Sequence, residues 1–424
     1  MHITILTFGS RGDVQPFVAL GVGLKQAGHA VKLVTYGRFA DLAQAQGLDF
    51  HPVAGDIHAI LQSDRGRDML ESGQNPVRIA LTTFKELKPL ILDMFRDCWT
   101  GCQGSDLLLL GGPGYFAGTS IAEKLGIPQI EAYVQPLTPT KGFASPMMPP
   151  PRWHWGWYNK MSHYFGGQVF WQAMRPAINQ VRRQQLGLKP YPLGGPFWKL
   201  YGQNPVLYGF SPRLIPHQPD WGDFTHVTGY WFLERPDHWE PSRELMAFLE
   251  AGPPPVYVGF GSMNNRDPQA TTKLVLDALA AANQRGILLS GWGGLDRANL
   301  PETVFMVDDV PHDWLFPRMS AIVHHGGAGT TAAALRSGIP SLIIPFFADQ
   351  PFWAEHVYQL GVSPLPIPRA KLTAEKLAAA LQQIQTDKRM WHEAGAVGQT
   401  IREEDGIGQA AAVIEAYARE KTAG

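Results

Sequence analysis

One pattern restricts the fold of this chain more than any other: a short apolar run, a glycine-rich turn, a helix-period segment and a second apolar run, repeated in that order. The first copy opens the chain. His2-Ile-Thr-Ile-Leu-Thr-Phe8 has the length of a buried strand, and Gly9-Ser-Arg-Gly12 supplies the turn. Phe17, Leu20, Gly21 and Leu24 then share one helical face, Gly28 closes the helix, and Ala30-Val-Lys-Leu-Val-Thr35 is the next strand. This is a βαβ unit. It recurs as Asp106 to Leu110, a helix near residues 114 to 124, and a strand from Pro128 to Val134.

After residue 250 the pattern restarts. Pro255 to Phe260 reads as a strand, 268 to 284 as a helix and Gly286 to Ser290 as a strand, followed by strands at Val304 to Val307, Ala321 to His324 and Ser341 to Ile344. Between the blocks, from Pro136 to about Tyr201, prolines cluster among an aromatic series that includes Trp153, Trp155, Trp157 and Trp171. Two such blocks predict two Rossmann-like, doubly wound α/β domains facing a cleft. A chain of 424 residues, 45% hydrophobic and 17% charged, is long enough for two cores. We place the first domain at residues 1–220, the second at 221–400 and a closing helix at 401–424, where Ile407, Ala410, Ala411 and Ile414 form one apolar face.

A formal net charge of -1 with no basic run argues against nucleic-acid binding. The N-terminus lacks the basic region of a secretion signal, and no stretch has the length of a membrane span. The expectation is a cytoplasmic protein, at most peripheral to a membrane. Cys98 and Cys102, four residues apart on an expected helix, are expected to be packing residues.

In open α/β sheets, ligands bind beyond the carboxyl ends of the strands, often at helix N-termini. The turns at those ends are GSRGD (9 to 13), GGPG (111 to 114), GSM (261 to 263), GWGG (291 to 294) and HHGGAGTT (324 to 331). The last has the physics of a diphosphate site. Gly329, Thr330 and Thr331 stand at a helix start with free N–H groups and the positive end of the helix dipole. Thr330 adds a hydroxyl donor, and His325 offers an imidazole N–H. The competing reading makes Thr330 a helix cap and the histidines strand-end packing. Asp349 and Gln350 follow the next strand, and a carboxylate beside an amide both accepts and donates to sugar hydroxyls. Asp349 also suits a helix N-cap.

Val310-Pro-His-Asp-Trp-Leu315, HHGGAGTT, Ser337-Gly-Ile-Pro340 and Pro345-Phe-Phe-Ala-Asp-Gln350, in this order, resemble the signature of family 1 glycosyltransferases. The resemblance is to the branch of sterol 3-β-glucosyltransferases and bacterial macrolide and glycopeptide glycosyltransferases. The opening FGSRGDVQPFVALGVGLKQAGHAVKLVT is similar to the same branch. It implies a GT-B fold, an acceptor-binding first domain, a nucleotide-sugar-binding second domain, and a C-terminal helix that packs back on the first. It also implies an inverting transfer that needs no metal or other cofactor. No D-x-D motif is present, and Asp308-Asp309 are adjacent, so on a strand they would point to opposite faces.

Carried onto this sequence, the resemblance gives the diphosphate to His325, Gly327, Gly329 and Thr330, with Ser10, Arg11 and Ser262 in reach. It gives the sugar to Asp349 and Gln350, and the nucleoside to Trp292, Val310 and His312. Plant members carry a ribose-binding Glu eight residues after the phosphate histidine; here that position is Ala333, so uridine and thymidine both stay open. The branch places its general base in the first turn, where Asp13 stands. A carboxylate there takes the proton of a hydroxyl that attacks the anomeric carbon. The competing reading has Asp13 cap a helix that begins at Val14.

The expected reaction is transfer of a hexose, glucose, from UDP-glucose to a hydroxyl of a lipophilic acceptor such as a sterol or terpenoid. The acceptor is expected at Phe143, Met147, Trp153, Trp155 and Trp157, with the rim of that pocket touching a membrane. Two rivals share the architecture: a nucleotide-sugar 2-epimerase, which needs no acceptor pocket, and a catalytically silent partner of another transferase.

Overall fold

The computed structural model describes residues 1–56, 88–148, 155–196, 202–235, 239–261, 267–290 and 300–423. The chain divides into two compact units. The first comprises Met1–Pro212, Pro216–Leu233 and Asp405–Gly424; the second comprises Arg213–Ile215 and Glu234–Glu404.

The first unit is built on β1 (His2–Leu6), β2 (Ala30–Tyr36), β3 (Asp49–Val53), β4 (Leu107–Gly111), β5 (Gln129–Tyr133), β6 (Val206–Tyr208) and β7 (Thr225–Val227). Every pairing is parallel, in the order β3-β2-β1-β4-β5-β6-β7. The central β4 is apolar at consecutive positions, Leu107 to Leu110, because helices cover both faces of a parallel sheet. The strand order reverses between β1 and β4, which leaves a crevice beyond their carboxyl ends. The helix Arg11–Gln26 follows β1 and buries Val14, Phe17, Val18, Leu20 and Leu24.

The second unit repeats this plan with β8 (Val256–Gly259), β9 (Gly286–Leu289), β10 (Val304–Val307), β11 (Ala321–His324) and β12 (Ser341–Ile343). All pairings are again parallel, in the order β10-β9-β8-β11-β12, and the reversal lies between β8 and β11. The period of two along a strand separates two cores. Val256, Val258 and Val323 pack with Leu377 and Leu381. Tyr257 and Ile322 pack with Leu315, Phe316 and Ala334. The helix Ala328–Ser337 ends on Gly338 in the left-handed region (φ 74°). A Cβ on Gly398, in the helix Lys388–Glu403, would lie 2.7 Å from the Cα of Gly338, so the two helices meet backbone to backbone.

The division differs from the expected boundary at residue 220. β7 lies beyond that point and pairs with β6, so the first unit keeps the chain through Leu233. The closing helix is Gly406–Ala423, because residues 401–403 still belong to Lys388–Glu403 of the second unit. Its fully buried side chains are Ala410 and Ile414, and a Cβ on Gly23 would collide with Ile407. Gly406 stands where any Cβ would strike the carbonyl oxygen of Tyr230. Much of the Pro- and Trp-rich middle forms one helix, Gly156–Gln184, whose buried Trp171, Met174, Ala177, Ile178 and Val181 keep helical spacing. Cys98 and Cys102 are free and buried, and desolvation raises both thiol pKa values, Cys102 to about 12. They are packing residues.

Candidate functional site

In the first unit, β1 runs into a turn at Gly9 that the helix Arg11–Gln26 leaves at once. Ser10 is the N-cap, with extended backbone, and Asp13 stands three residues inside the helix. The Asp13 carboxylate turns back over that end. Its Oδ2 accepts from the Ser10 N–H and the Ser10 hydroxyl, both at 2.8 Å, while among the described residues Oδ1 receives a long 3.5 Å contact from Gln135 Nε2. Gly9 has φ 141°, and a Cβ there would lie 2.5 Å from Asp13 Oδ2. Only glycine leaves room for the carboxylate. Arg38 fixes the turn from outside by donating to the Gly9 carbonyl at 2.6 Å. Arg11 is exposed and donates to Gln15 along its own helix, 2.9 Å.

In the second unit, β11 ends at His324, whose Nδ1 accepts from the Gly326 N–H at 3.1 Å. The next ring, His325, is buried and held between two glycines. A Cβ on Gly261 would lie 2.6 Å from its Cε1, and one on Gly327 would lie 2.5 Å from its Nε2. Gly261 comes from the end of β8, the strand beside β11, so the ring sits at the reversal of strand order. Gly327 is the N-cap of Ala328–Ser337 and carries no side chain to cap it. Thr331 N–H bonds the Gly327 carbonyl at 2.9 Å, so the donors ahead of it, on Ala328, Gly329 and Thr330, precede the helical ladder.

Three buried polar atoms of this segment have no hydrogen-bond partner among the described residues: His324 Nε2, His325 Nδ1 and Thr331 Oγ1. Such atoms are rare in folded proteins and mark a place where a ligand or water completes the bonding. Burial depresses the His325 pKa to about 4, with nearby His312 as a lesser cause, and holds His324 well below the usual range. Both rings are neutral at physiological pH, so His325 can act as a hydrogen-bond donor without net charge.

The loop after β12 lies against the same turn, since a Cβ on Gly326 would approach the Gln350 carbonyl oxygen at 3.3 Å. Gln350 is buried, and its side-chain oxygen accepts from the Phe346 N–H (2.7 Å) and the Phe347 N–H (3.3 Å). Asp349 is the N-cap of Gln350–Gln359 but makes no side-chain cap bond; its Oδ2 accepts from the Trp353 indole at 2.8 Å. His312 stacks on Phe316, with ring centroids 4.2 Å apart, at the start of the short helix His312–Leu315. Val310 lies just before it, half-buried.

These two sites can be set against known proteins. Residues 3–144 match the glycosyltransferase family 28 N-terminal domain, and residues 273–406 match the erythromycin biosynthesis protein CIII-like C-terminal domain. A sterol 3-beta-glucosyltransferase of Arabidopsis thaliana is 35% identical over 99% of this chain and 68% of its own length. The chain belongs to this glycosyltransferase family. A sterol 3-beta-glucosyltransferase of Cryptococcus neoformans is 37% identical over 99% of the chain, which spans only 27% of that longer protein. Among solved structures, the glycosyltransferase SnogD of Streptomyces nogalater aligns over 98% of this chain and 100% of its own, with TM-score 0.68 and 20% identity. The glycotransferase of kitacinnamycin aligns over 98% of both chains with TM-score 0.71 and 19% identity. The fold is GT-B.

For the glycosyltransferase, several sequence expectations change in detail. The helix starts at Arg11 rather than Val14, so Ser10 is the cap and Asp13 closes the capping box. Gly327, not Thr330, caps the second helix. Asp308 and Asp309 follow β10 instead of lying on it, and Asp308 accepts a hydrogen bond from the Ser290 hydroxyl. Gln350 commits its side-chain oxygen to the Phe346 and Phe347 N–H groups of its own loop. Phe143 is half-buried between His163 and Trp221, whereas Met147, Trp155 and Trp157 are more than half exposed. Ser262, Trp292 and Trp153 lie outside the described residues. Sequence reasoning missed Gly9, Gly261 and Gln135 as working parts. The two glycines stand in the turns quoted above; Gln135 carries no local signal.

Proposed function

We propose that this glycosyltransferase moves glucose from UDP-glucose to a hydroxyl of a sterol-like lipophilic acceptor, with inversion and without a metal. One observation carries the donor half of this reading: the helix end at Gly327 is open, and the neutral ring of His325, whose buried Nδ1 has no partner among the described residues, turns its Nε2 toward Gly327. A diphosphate supplies what that end lacks, namely negative charge and acceptor oxygens for the N–H groups of Ala328, Gly329 and Thr330. The names of the relatives from Arabidopsis and Cryptococcus support the acceptor half.

In the reaction, the acceptor oxygen forms a bond to the anomeric carbon as the bond from that carbon to the diphosphate oxygen breaks. UDP leaves with the electron pair. The acceptor proton passes to Asp13, and Oδ1 is the oxygen for it, since Oδ2 already accepts two hydrogen bonds from Ser10. The His325 N–H and the helix end stabilise the charge that grows on the leaving diphosphate. Asp349 and the loop shaped by Gln350 take the sugar hydroxyls.

Incubation with UDP-glucose and a small sterol panel, in the presence of EDTA, tests the proposal. It predicts steryl glucoside and free UDP. Turnover that EDTA abolishes and Mg²⁺ restores would overturn the metal-free part. Absence of glucoside with every sterol would overturn the acceptor.

A further inference from the structure

Among the described residues, eight large apolar side chains are more than half exposed, and six of them belong to one region: Met147, Trp155, Trp157, Met161, Phe165 and Leu193. Their placement is ordered. Trp157, Met161 and Phe165 stand four residues apart on the helix Gly156–Gln184, so they share one face. Gln168 and Gln172 continue that face and donate to the carbonyls of Gly194 (2.8 Å) and Leu193 (2.7 Å), which holds Leu193 at the end of the row. The stretch 141–148 runs beside the first half of the helix. Asn159 Nδ2 donates to the Lys141 carbonyl at 2.9 Å, the Ser145 N–H donates to Ser162 Oγ at 2.8 Å, and a Cβ on Gly166 would touch Met148 at 3.7 Å. The row is about 22 Å long from Trp157 to Gln172 at 1.5 Å per residue. That is a patch of the kind monomers seldom leave bare.

The chain segment that builds it carries charge of one sign. From Ala132 to Pro212 the chain contains no Asp or Glu and eight Lys or Arg residues. Lys141, Arg183 and Lys189 are exposed. Lys160 pairs with Asp220 at 3.5 Å, and Arg182 pairs with Glu123 at 2.9 Å, so these two cations are locally balanced. Tryptophan, phenylalanine and methionine on one helical face with lysine and arginine around it suit the boundary of a bilayer, where rings enter the acyl region and cations meet headgroup phosphates.

We infer that this face docks on a lipid bilayer containing anionic headgroups. The inference goes beyond the transfer reaction and stands on the surface alone, although a bilayer is also where a sterol-like acceptor would reside. The test therefore uses neither sterol nor sugar nucleotide. The full chain is sedimented with vesicles of phosphatidylcholine, with and without phosphatidylglycerol, at low and at physiological salt. The expected result is co-sedimentation with the phosphatidylglycerol vesicles, weakened by salt.

The triple variant Met161→Ser, Phe165→Ser, Leu193→Ser should lower the partition by roughly tenfold or more, the scale for removing buried apolar side chains. Its melting temperature should match the wild type. Should the variant fold poorly, acyl-brominated phosphatidylglycerol vesicles give an independent reading, because they should quench the tryptophan fluorescence of the unaltered protein. Three results overturn the inference. One is no sedimentation and no quenching with either vesicle. Another is equal partition of a folded triple variant. The third is a dimer of the wild type in light scattering that the variant dissolves, which would make the face an interface between copies of this chain.

Discussion

The turn at Gly9 in the first unit and the turn at Gly327 in the second have the same place in the same architecture, beyond a strand at the reversal of strand order. Both precede a helix N-terminus, but they fill it differently. In the first, Gly9 leaves room for the Asp13 carboxylate, which folds over its own helix terminus and accepts from Ser10. In the second, Gly261 and Gly327 leave room for the neutral ring of His325, and the helix terminus beside it has no side-chain cap. One turn carries a carboxylate of its own; the other leaves its helix terminus uncapped. The lesson is that glycine turns in a doubly wound fold are not interchangeable signals. What the missing Cβ makes room for decides the chemistry.

The largest expected effect is at the first turn. Asp13→Asn keeps the shape but removes the proton acceptor, and should lower kcat by roughly 100-fold, the scale for losing general-base help. UDP affinity should stay the same. A variant that keeps most of its kcat would take the base assignment away from Asp13. Next come the two glycines, each of which should disturb only its own turn. Gly9→Ala pushes on the carboxylate and should lower kcat, whereas Gly327→Ala pushes on His325 and should weaken UDP, each by on the order of tenfold for a crowded site. Weakened UDP binding in Gly9→Ala, measured by calorimetry, would break the division of labour between the turns.

A smaller effect belongs to Thr330→Ala, where one hydroxyl donor is lost. UDP should bind roughly 2- to 10-fold more weakly, the range for a single hydrogen bond. Unchanged affinity would leave the diphosphate to the backbone and His325 alone. The smallest effect is on stability against pH. His325 titrates near 4 in the folded protein because it is buried, and near its ordinary value of about 6.5 when unfolded. The unfolded chain then binds more protons between those values, so this contribution is full above pH 6.5 and declines as pH falls toward 4. The decline between pH 6.5 and 5.5 is about 1 kcal/mol for one such ring. His325→Asn should flatten the fall in melting temperature over that window; an unaltered slope would mean the ring is not buried neutral.

Periodicity and glycine turns made the two sheets legible, because β1, β2, β4 and β8 to β12 are short apolar runs that stop at turns. Three strands escaped. β3 carries Asp49, His51 and Pro52 and lacks a continuous apolar run, while β6 and β7 have three residues each, too short for a pattern. The long helix Gly156–Gln184 was masked by Gly166, Gly167 and Pro176, although its buried Trp171-to-Val181 row was present in the sequence. At the site, His325 was a candidate from residue type and place, and Asp13 became one through the resemblance to the glycosyltransferase branch. The cradle around His325 was not, because Gly261 is 64 positions away and meets the ring only through the pairing of β8 with β11.

In the proposed reaction the helix end at Gly327, with His325, is the seat of the donor diphosphate. Calorimetric titration of UDP into the wild type and into His325→Ala, with the melting temperature of each as a control for folding, tests it most directly. The wild type should bind UDP at one site per chain, and the variant should bind it more weakly by on the order of tenfold or more, the scale for losing a buried donor to a charged group. Equal UDP affinity in a folded His325→Ala protein would contradict it.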